Sequence, residues 1–293
     1  MKLGLDNRWF LLIILALTWG SSFILIKKSL LTFSPYQIGA FRIGISGLVL
    51  GYIGVPAVRR MPLHTLKWAA IAGFFGSFFP MFLFPVAQTR ISSALAGILD
   101  SLVPLFVLVL GYLFFGVRSH NRQWIGAIMG LIGALVLSWY SGVETGESHW
   151  GYAFLIILAT ACYGLSALII KEKLNHVPSL QLSSGIFVIW MIPAFLILVF
   201  SGFFSVFPAD AQTWQSLGSL SILTFAGTTA AIVLYYKLIQ DTSPVFASSV
   251  TYLLPVIAVI WGLIDGEKLT MVYFAGGALI LLGIYLIQEE SDS

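Results

Sequence analysis

Ten stretches of this chain stay apolar for about 20 residues at a time, the length a helix needs to cross the hydrocarbon core of a bilayer. They are 9–28, 35–56, 66–88, 91–115, 123–141, 151–171, 179–203, 214–238, 243–264 and 271–288. Only short connections separate them, and none is long enough to hold a folded domain of its own. Charged residues make up 9% of the 293 residues, and 59% are hydrophobic. An ordinary soluble domain carries about 25% charged residues and needs them to cover its surface. A mean hydropathy of +0.97 points the same way. The expectation is an all-α integral membrane protein, because hydrocarbon offers no partners to backbone N–H and C=O groups. The first run follows MKLGLDNR and has no A-x-A-like site after it, so it reads as a span and not a leader.

Lysine and arginine at the ends of the runs set an orientation. With the N-terminus in the cytoplasm, ten of these residues lie at cytoplasmic ends, Arg59, Arg60, Lys171 and Lys173 among them. Four lie at outer ends: Lys27, Lys28, Arg90 and Lys268. An even number of spans then returns the C-terminus to the cytoplasm. The net charge of +3 is scattered over helix ends and forms no patch for nucleic acid. Cys162 is the single cysteine, so no internal disulfide can form. The four histidines fall in connecting segments without ligand-like spacing, so no metal and no catalytic group is expected. No phosphate-binding G-x-x-x-x-G-K-[ST] loop occurs, so no nucleotide or other cofactor is expected.

The chain repeats itself. WGSSFILIKKSL (19–30) matches YGLSALIIKEKL (163–174) at an offset of 144 residues. LDSLVPLFVLVLG (99–111) matches VTYLLPVIAVIWG (250–262) at an offset of 151, which aligns Pro104 with Pro255 and Gly111 with Gly262. Gly126 and Gly133 match Gly276 and Gly283 at an offset of 150. The expected organisation is two five-helix repeats, 1–145 and 146–293. An odd number of spans per repeat makes their topologies inverted, an architecture of secondary transporters.

These residues resemble the EamA family of the drug/metabolite transporter superfamily. The resemblance rests on WGSSFILIK, on Arg42, on SSALAGILDSLVPLF (92–106) and on SPVFASSVTYLLPVIAVIWGLIDGEKLT (243–270), and it covers nearly the whole chain. It implies a bacterial inner-membrane carrier that exports amino acids, aromatic ones among them, or other small metabolites. Two positions depart from the family pattern. The fourth span ends in GVRSHNR where an acid is usual, while the ninth keeps Glu267, and Asp100 stands where such proteins carry an apolar or small residue.

Asp100 must therefore be read from physics. It lies nine residues into its span, about 14 Å deep at 1.5 Å per residue, near the midplane of a core about 30 Å thick. An acid at that depth costs about 2.5–3.5 kcal/mol on insertion scales and must face a partner or a polar cavity. Arg42 lies at similar depth, so an Arg42–Asp100 ion pair is one expectation. The others are that Asp100 binds the ammonium group of a substrate or carries a proton. Ser93, Gly97, Asp100, Pro104 and Gly111 share one helical face, and Pro244, Ser248, Thr251, Pro255 and Gly262 share the equivalent one. Such a stripe serves either close helix packing or the lining of a cavity. Trp19 with Ser22 and Tyr163 with Ser166 are equivalent pairs one helical turn apart, and Phe84, Tyr235 and Tyr252 are further candidates for the lining.

The expected substrate-binding set is thus Trp19, Ser22, Arg42, Phe84, Asp100, Tyr163, Ser166, Tyr235, Ser248, Thr251 and Tyr252, with Asp100 as the proton-coupling candidate. The partners expected are a small-molecule substrate and the lipid bilayer, with no nucleic acid. A multidrug, nucleoside or vitamin transporter is the alternative, with a membrane-embedded enzyme or a channel behind it.

Overall fold

The computed structural model describes residues 5–117, 120–145, 150–207 and 210–288. Arg118 and Ser119 of GVRSHNR, and the expected repeat boundary at 145/146, lie at or beyond the edge of those residues. Helices account for the spans: α1 (Leu5–Ser29), α2 (Pro35–Arg60), α3 (Leu63–Gly73), α4 (Pro80–Gln88), α5 (Ser93–Asp100), α6 (Val103–Phe115) and α7 (Asn121–Thr145). They are followed by α8 (Trp150–Lys173), α9 (Ser179–Phe200), α10 (Ala211–Thr224), α11 (Ala231–Asp241), α12 (Pro244–Ser248), α13 (Leu254–Ile264) and α14 (Met271–Gln288). No strand occurs among the described residues.

Eight helical runs are long and apolar enough to cross a membrane, including the composite runs Leu63–Gln88, Ser93–Phe115, Ala211–Asp241 and Pro244–Ile264. Two shorter apolar helices, Asn121–Leu137 and Met271–Ile287, occupy the remaining two expected spans. The protein is a multi-pass membrane protein. Its outer face agrees, since Tyr52, Phe200 and Met271 expose 93%, 85% and 83% of their surface, which only a lipid solvent would favour.

The composite runs are where local chemistry departs from a plain helix. Between α3 and α4 the backbone widens into a π-helix over Phe74–Phe78, and between α10 and α11 into another over Phe225–Ala230. In the fourth span the helix stops at Asp100, turns through Ser101 and Leu102, and restarts at Val103 with Pro104 in its first turn. The ninth span passes from α12 through a 3₁₀ segment, Ser249–Tyr252, into α13 with Pro255 in its first turn. Proline has no N–H to lose at a helix start, so each break falls where proline costs least. The side chains of Ser92 and Ser243 cap α5 and α12 by accepting from the N–H groups of Leu95 and Phe246.

Close approach of backbones packs the bundle, as expected where lipid supplies little drive for helix association. A Cβ at Gly20 of α1 would stand 2.6 Å from Ile257 in α13, and one at Gly164 of α8 would stand 3.0 Å from the backbone nitrogen of Val107 in α6. A Cβ at Gly47 of α2 would stand 2.8 Å from Met191 in α9, while Gly126 of α7 lies against the carbonyl of Gly283 in α14. The continuous polar face expected along the fourth span is divided by the break. Gly97 packs against Ala258 and Phe23, and Ser93 bonds to Glu267, so the first turns of α5 serve helix packing.

Candidate functional site

A central cavity lies between these elements. Nine of the eleven residues expected from sequence line it: Trp19, Ser22, Arg42, Phe84, Asp100, Tyr163, Ser166, Tyr235 and Thr251. Ser248 and Tyr252 do not. The Ser248 hydroxyl donates to the carbonyl of Val245 and is fully buried. Tyr252 packs in the core and donates to the carbonyl of Ile284 at 3.5 Å. Ser248, expected from α-helical spacing, directly precedes the 3₁₀ segment, where the turn tightens from about 3.6 to about 3.0 residues, and Tyr252, expected only as an aromatic candidate, lies within it.

Several lining side chains are held by the irregular segments. The indole N–H of Trp19 donates to the carbonyl of Gly227, inside the second π-helix, at 2.9 Å. Its ring meets Tyr235 edge-on, with centroids 4.8 Å apart, and Phe84 stacks on Tyr163 at 5.9 Å. Arg42 reaches the same π-helix, where its Nε donates to the Thr228 hydroxyl at 3.0 Å. The next threonine, Thr229, shares a 2.7 Å hydrogen bond with Ser46. The hydroxyls of Thr228 and Thr229 in turn donate to carbonyls five residues back, those of Leu223 and Thr224, which the wider π turn leaves within reach. The Ser166 hydroxyl donates to the carbonyl of Ala72, just before the first π-helix.

Arg42 and Asp100 are the two charged residues of the lining. They do not form the ion pair that depth alone suggested, because the Arg42 guanidinium is turned to Thr228. The Asp100 carboxyl ends α5 and is buried, and its Oδ1 has no hydrogen-bond partner. Tyr163 stands within electrostatic reach of both charges, and Tyr235 within reach of Asp100. The cavity therefore holds a guanidinium and a carboxyl group, separated, among aromatic rings. Among the described residues no group of His, Cys, Asp or Glu is placed to hold a metal ion.

Sequence reasoning missed eleven lining residues, among them Phe23, Ile26, Gly76, Met81 and Gly227. The repeat held the signal for most of them. Sixteen of the twenty lining residues fall into eight pairs at offsets of 144 or 151, the spacings already seen in the sequence. Phe23 pairs with Ala167, Ile26 with Ile170, Gly76 with Gly227, Met81 with Ile232 and Phe84 with Tyr235. The contacts are reciprocal as well: Gly76 abuts the Ser166 hydroxyl, and Gly227 abuts the Ser22 hydroxyl.

The pattern of the EamA-like transporter family matches residues 8–139 and, a second time, residues 150–288. The chain belongs to the EamA-like transporter family. This EamA protein is 27% identical to an uncharacterized transporter of Archaeoglobus fulgidus over 286 residues, covering 97% of this chain and 99% of the relative. It is 26% identical to YedA, an uncharacterized inner membrane transporter of Escherichia coli, over 93% of this chain and 88% of that one. It is 25% identical to a probable amino-acid metabolite efflux pump of Escherichia coli, over 94% of this chain and 93% of that one. A crystal structure superposes on 97% of the chain and 98% of its own length with a TM-score of 0.64 and 18% identity, which establishes a shared fold.

Proposed function

We propose that this EamA-family transporter is a secondary carrier that exports small amphipathic metabolites, amino acids first and aromatic ones among them, by alternating access across the bacterial inner membrane. The observation that carries this reading is the cavity itself. Arg42 and Asp100 offer opposite charges that do not neutralise each other, and Trp19, Phe84, Tyr163 and Tyr235 offer apolar faces beside them. A buried carboxylate without a partner is costly, so a ligand that brings an ammonium group, or a proton, gains by meeting it. A carboxylate gains equally from the guanidinium, whose planar fork suits it. Kinship with a probable amino-acid metabolite efflux pump is consistent with this choice.

The architecture proposed is ten membrane helices in two inverted five-helix repeats, 1–145 and 146–293, with both termini in the cytoplasm. The paired lining residues, the matched π-helices and the matched helix breaks support the repeat. Ten basic residues against four support the orientation. In such carriers the substrate site lies at the repeat interface, formed by discontinuous helices, which is how α5–α6 and α12–α13 are built.

The test is transport in reconstituted vesicles with labelled solutes: aromatic and aliphatic amino acids, a nucleoside, a vitamin and a lipophilic cation. Saturable flux of an aromatic amino acid is expected. Flux of the nucleoside, vitamin or cation with none for any amino acid would overturn the substrate assignment. Flux that never saturates would overturn the carrier.

A further inference from the structure

The segments that follow α6 and α13 match in shape and differ in chemistry. A glycine with positive φ follows each helix, Gly116 at 66° directly after α6 and Gly266 at 79° two residues after α13, a left-handed conformation that other residues rarely adopt. Each turn folds the next residue back over the helix. The backbone N–H of Glu267 donates to the carbonyl of Gly262 at 2.9 Å, and that of Val117 to the carbonyl of Gly111 at 3.1 Å. Glu267 thus stands over Gly262 as Val117 stands over Gly111. A Cβ at Gly262 would come within 2.6 Å of the Glu267 carboxylate, and one at Gly111 within 3.3 Å of the Val117 side chain.

What they hold is different. The Glu267 Oε1 accepts from the Ser93 hydroxyl at 2.6 Å, from the Ser93 N–H at 3.0 Å and from Lys27 Nζ at 2.8 Å. Its Oε2 accepts from the Ala94 N–H at 3.1 Å. Lys27 also pairs with Asp265 at 2.7 Å, and Lys28 pairs with the other oxygen of Asp265. One carboxylate therefore satisfies the first turn of α5, where a negative charge is favoured, and ties it to the end of α1. Burial works against the Glu267 charge, yet hydrogen bonds from Lys27, Ser93 and Ala94 hold its carboxyl below the usual glutamate range. The cluster joins residues of the first half (27, 28, 93 and 94) to residues of the second (265 and 267).

At the other end the described equivalents of Lys27, Ser93 and Glu267 are chemically different. Lys171, the counterpart of Lys27, donates to the carbonyls of Gln240 and Thr242 at 3.0 and 2.6 Å, all within the second half. Pro244 stands where Ser93 stands and has no N–H to give, and Val117 has no charge. The elements involved reach the cavity: Ile26 lies next to Lys27 and lines it, and Asp100 ends the helix that Glu267 caps.

We propose that the Glu267–Lys27–Asp265 cluster is a latch that stabilises the state in which its end of the carrier is shut. In the orientation proposed above the latch lies at the outer end. The proposal rests on the alternating-access reading. A latch of this kind biases a two-state equilibrium by the contacts present in one state and absent in the other. Because Lys27 is about a third exposed, its share is modest.

The test reads which end admits water. In a Cys162→Ala background, Ile26→Cys reports on the latch end and its counterpart Ile170→Cys on the opposite end. Labelling by a membrane-impermeant maleimide is followed from each side of the vesicle, alongside transport. Lys27→Gln, which leaves the cap on α5 intact, is expected to raise labelling at position 26 and lower it at position 170 by about five-fold in ratio. Glu267→Gln should do more, and Lys27→Arg should keep the ratio of the parent. A ratio unchanged by Lys27→Gln and Glu267→Gln in protein that still transports would overturn the latch alone. Absence of saturable transport in the parent, with labelling that no solute alters, would instead overturn the carrier reading beneath it.

Discussion

Glu267 folds back over Gly262 and Val117 over Gly111, with hydrogen bonds spanning five residues in one case and six in the other, and only Glu267 carries a charge. The cavity repeats the lesson: Asp100 and Thr251 are counterparts at equivalent helix breaks, and only one is an acid. Packing positions are kept alike, as with Gly20 against Ile257 and Gly164 against Phe106. Shape must match for two halves to share one interface. Charge need not match.

Three substitutions or conditions break or sharpen that contrast. The largest effect is expected from Asp100→Thr, which makes the two breaks alike. Loss of a charged contact to substrate is worth about 1.5–3 kcal/mol, so KM for the exported solute should rise about 10- to 100-fold. Thr251→Ser should change it little. Initial rates in vesicles across a substrate series decide this, and an unchanged KM would remove Asp100 from the binding site.

Next come the paired glycines. Gly20→Ala and Gly164→Ala should each destabilise the fold by about 1–3 kcal/mol through overpacking. Gly51→Ala, with nothing within 4 Å of the added methyl, should not. Thermal unfolding in detergent measures all three. A large loss at one glycine of the pair with none at the other would mean that packing, like charge, is unequal between the halves.

The smallest effect is that of acid on the latch. The carboxyls of Glu267 and Asp265 both sit below their ordinary values, against burial, because of their lysine and backbone partners. Their stabilisation is therefore complete above the ordinary glutamate value of 4.5 and is lost as pH falls through the depressed one. Lowering the pH on the latch side below 4.5 should shift the 26-to-170 labelling ratio a few-fold toward that seen with Lys27→Gln. In Glu267→Gln most of this shift should be gone.

Much of the cavity was legible in the residues themselves. Asp100, Arg42, Trp19 and Tyr163 stand out because polar or amphipathic groups near the middle of a span must find a polar neighbourhood. The repeat offsets paired them correctly. Ser248 was placed by a uniform helical period where the chain tightens into a 3₁₀ segment, and Tyr252 was chosen only as an aromatic candidate, whose ring packs into the core instead. The Arg42–Asp100 pair was drawn from depth, but pairing depends on the direction around each helix as well, and Arg42 points to a threonine in a π turn of a distant span. Glu267 stood out only as a family acid, since nothing local reveals that its partners lie at positions 27, 93 and 94.

The sequence alone determined that this chain is helical and crosses the membrane several times, and that its residues recur at offsets of 144 to 151. Those properties follow from hydrocarbon acting on each residue in turn and from spacing along one chain. Only the tertiary structure decided where the helices break, which polar groups share a cavity, that Arg42 and Asp100 stay apart and that Glu267 ties the two halves together at one end. Each of these depends on the backbone of one helix meeting the side chains of another, over separations of up to 240 residues, and no local pattern encodes such a meeting.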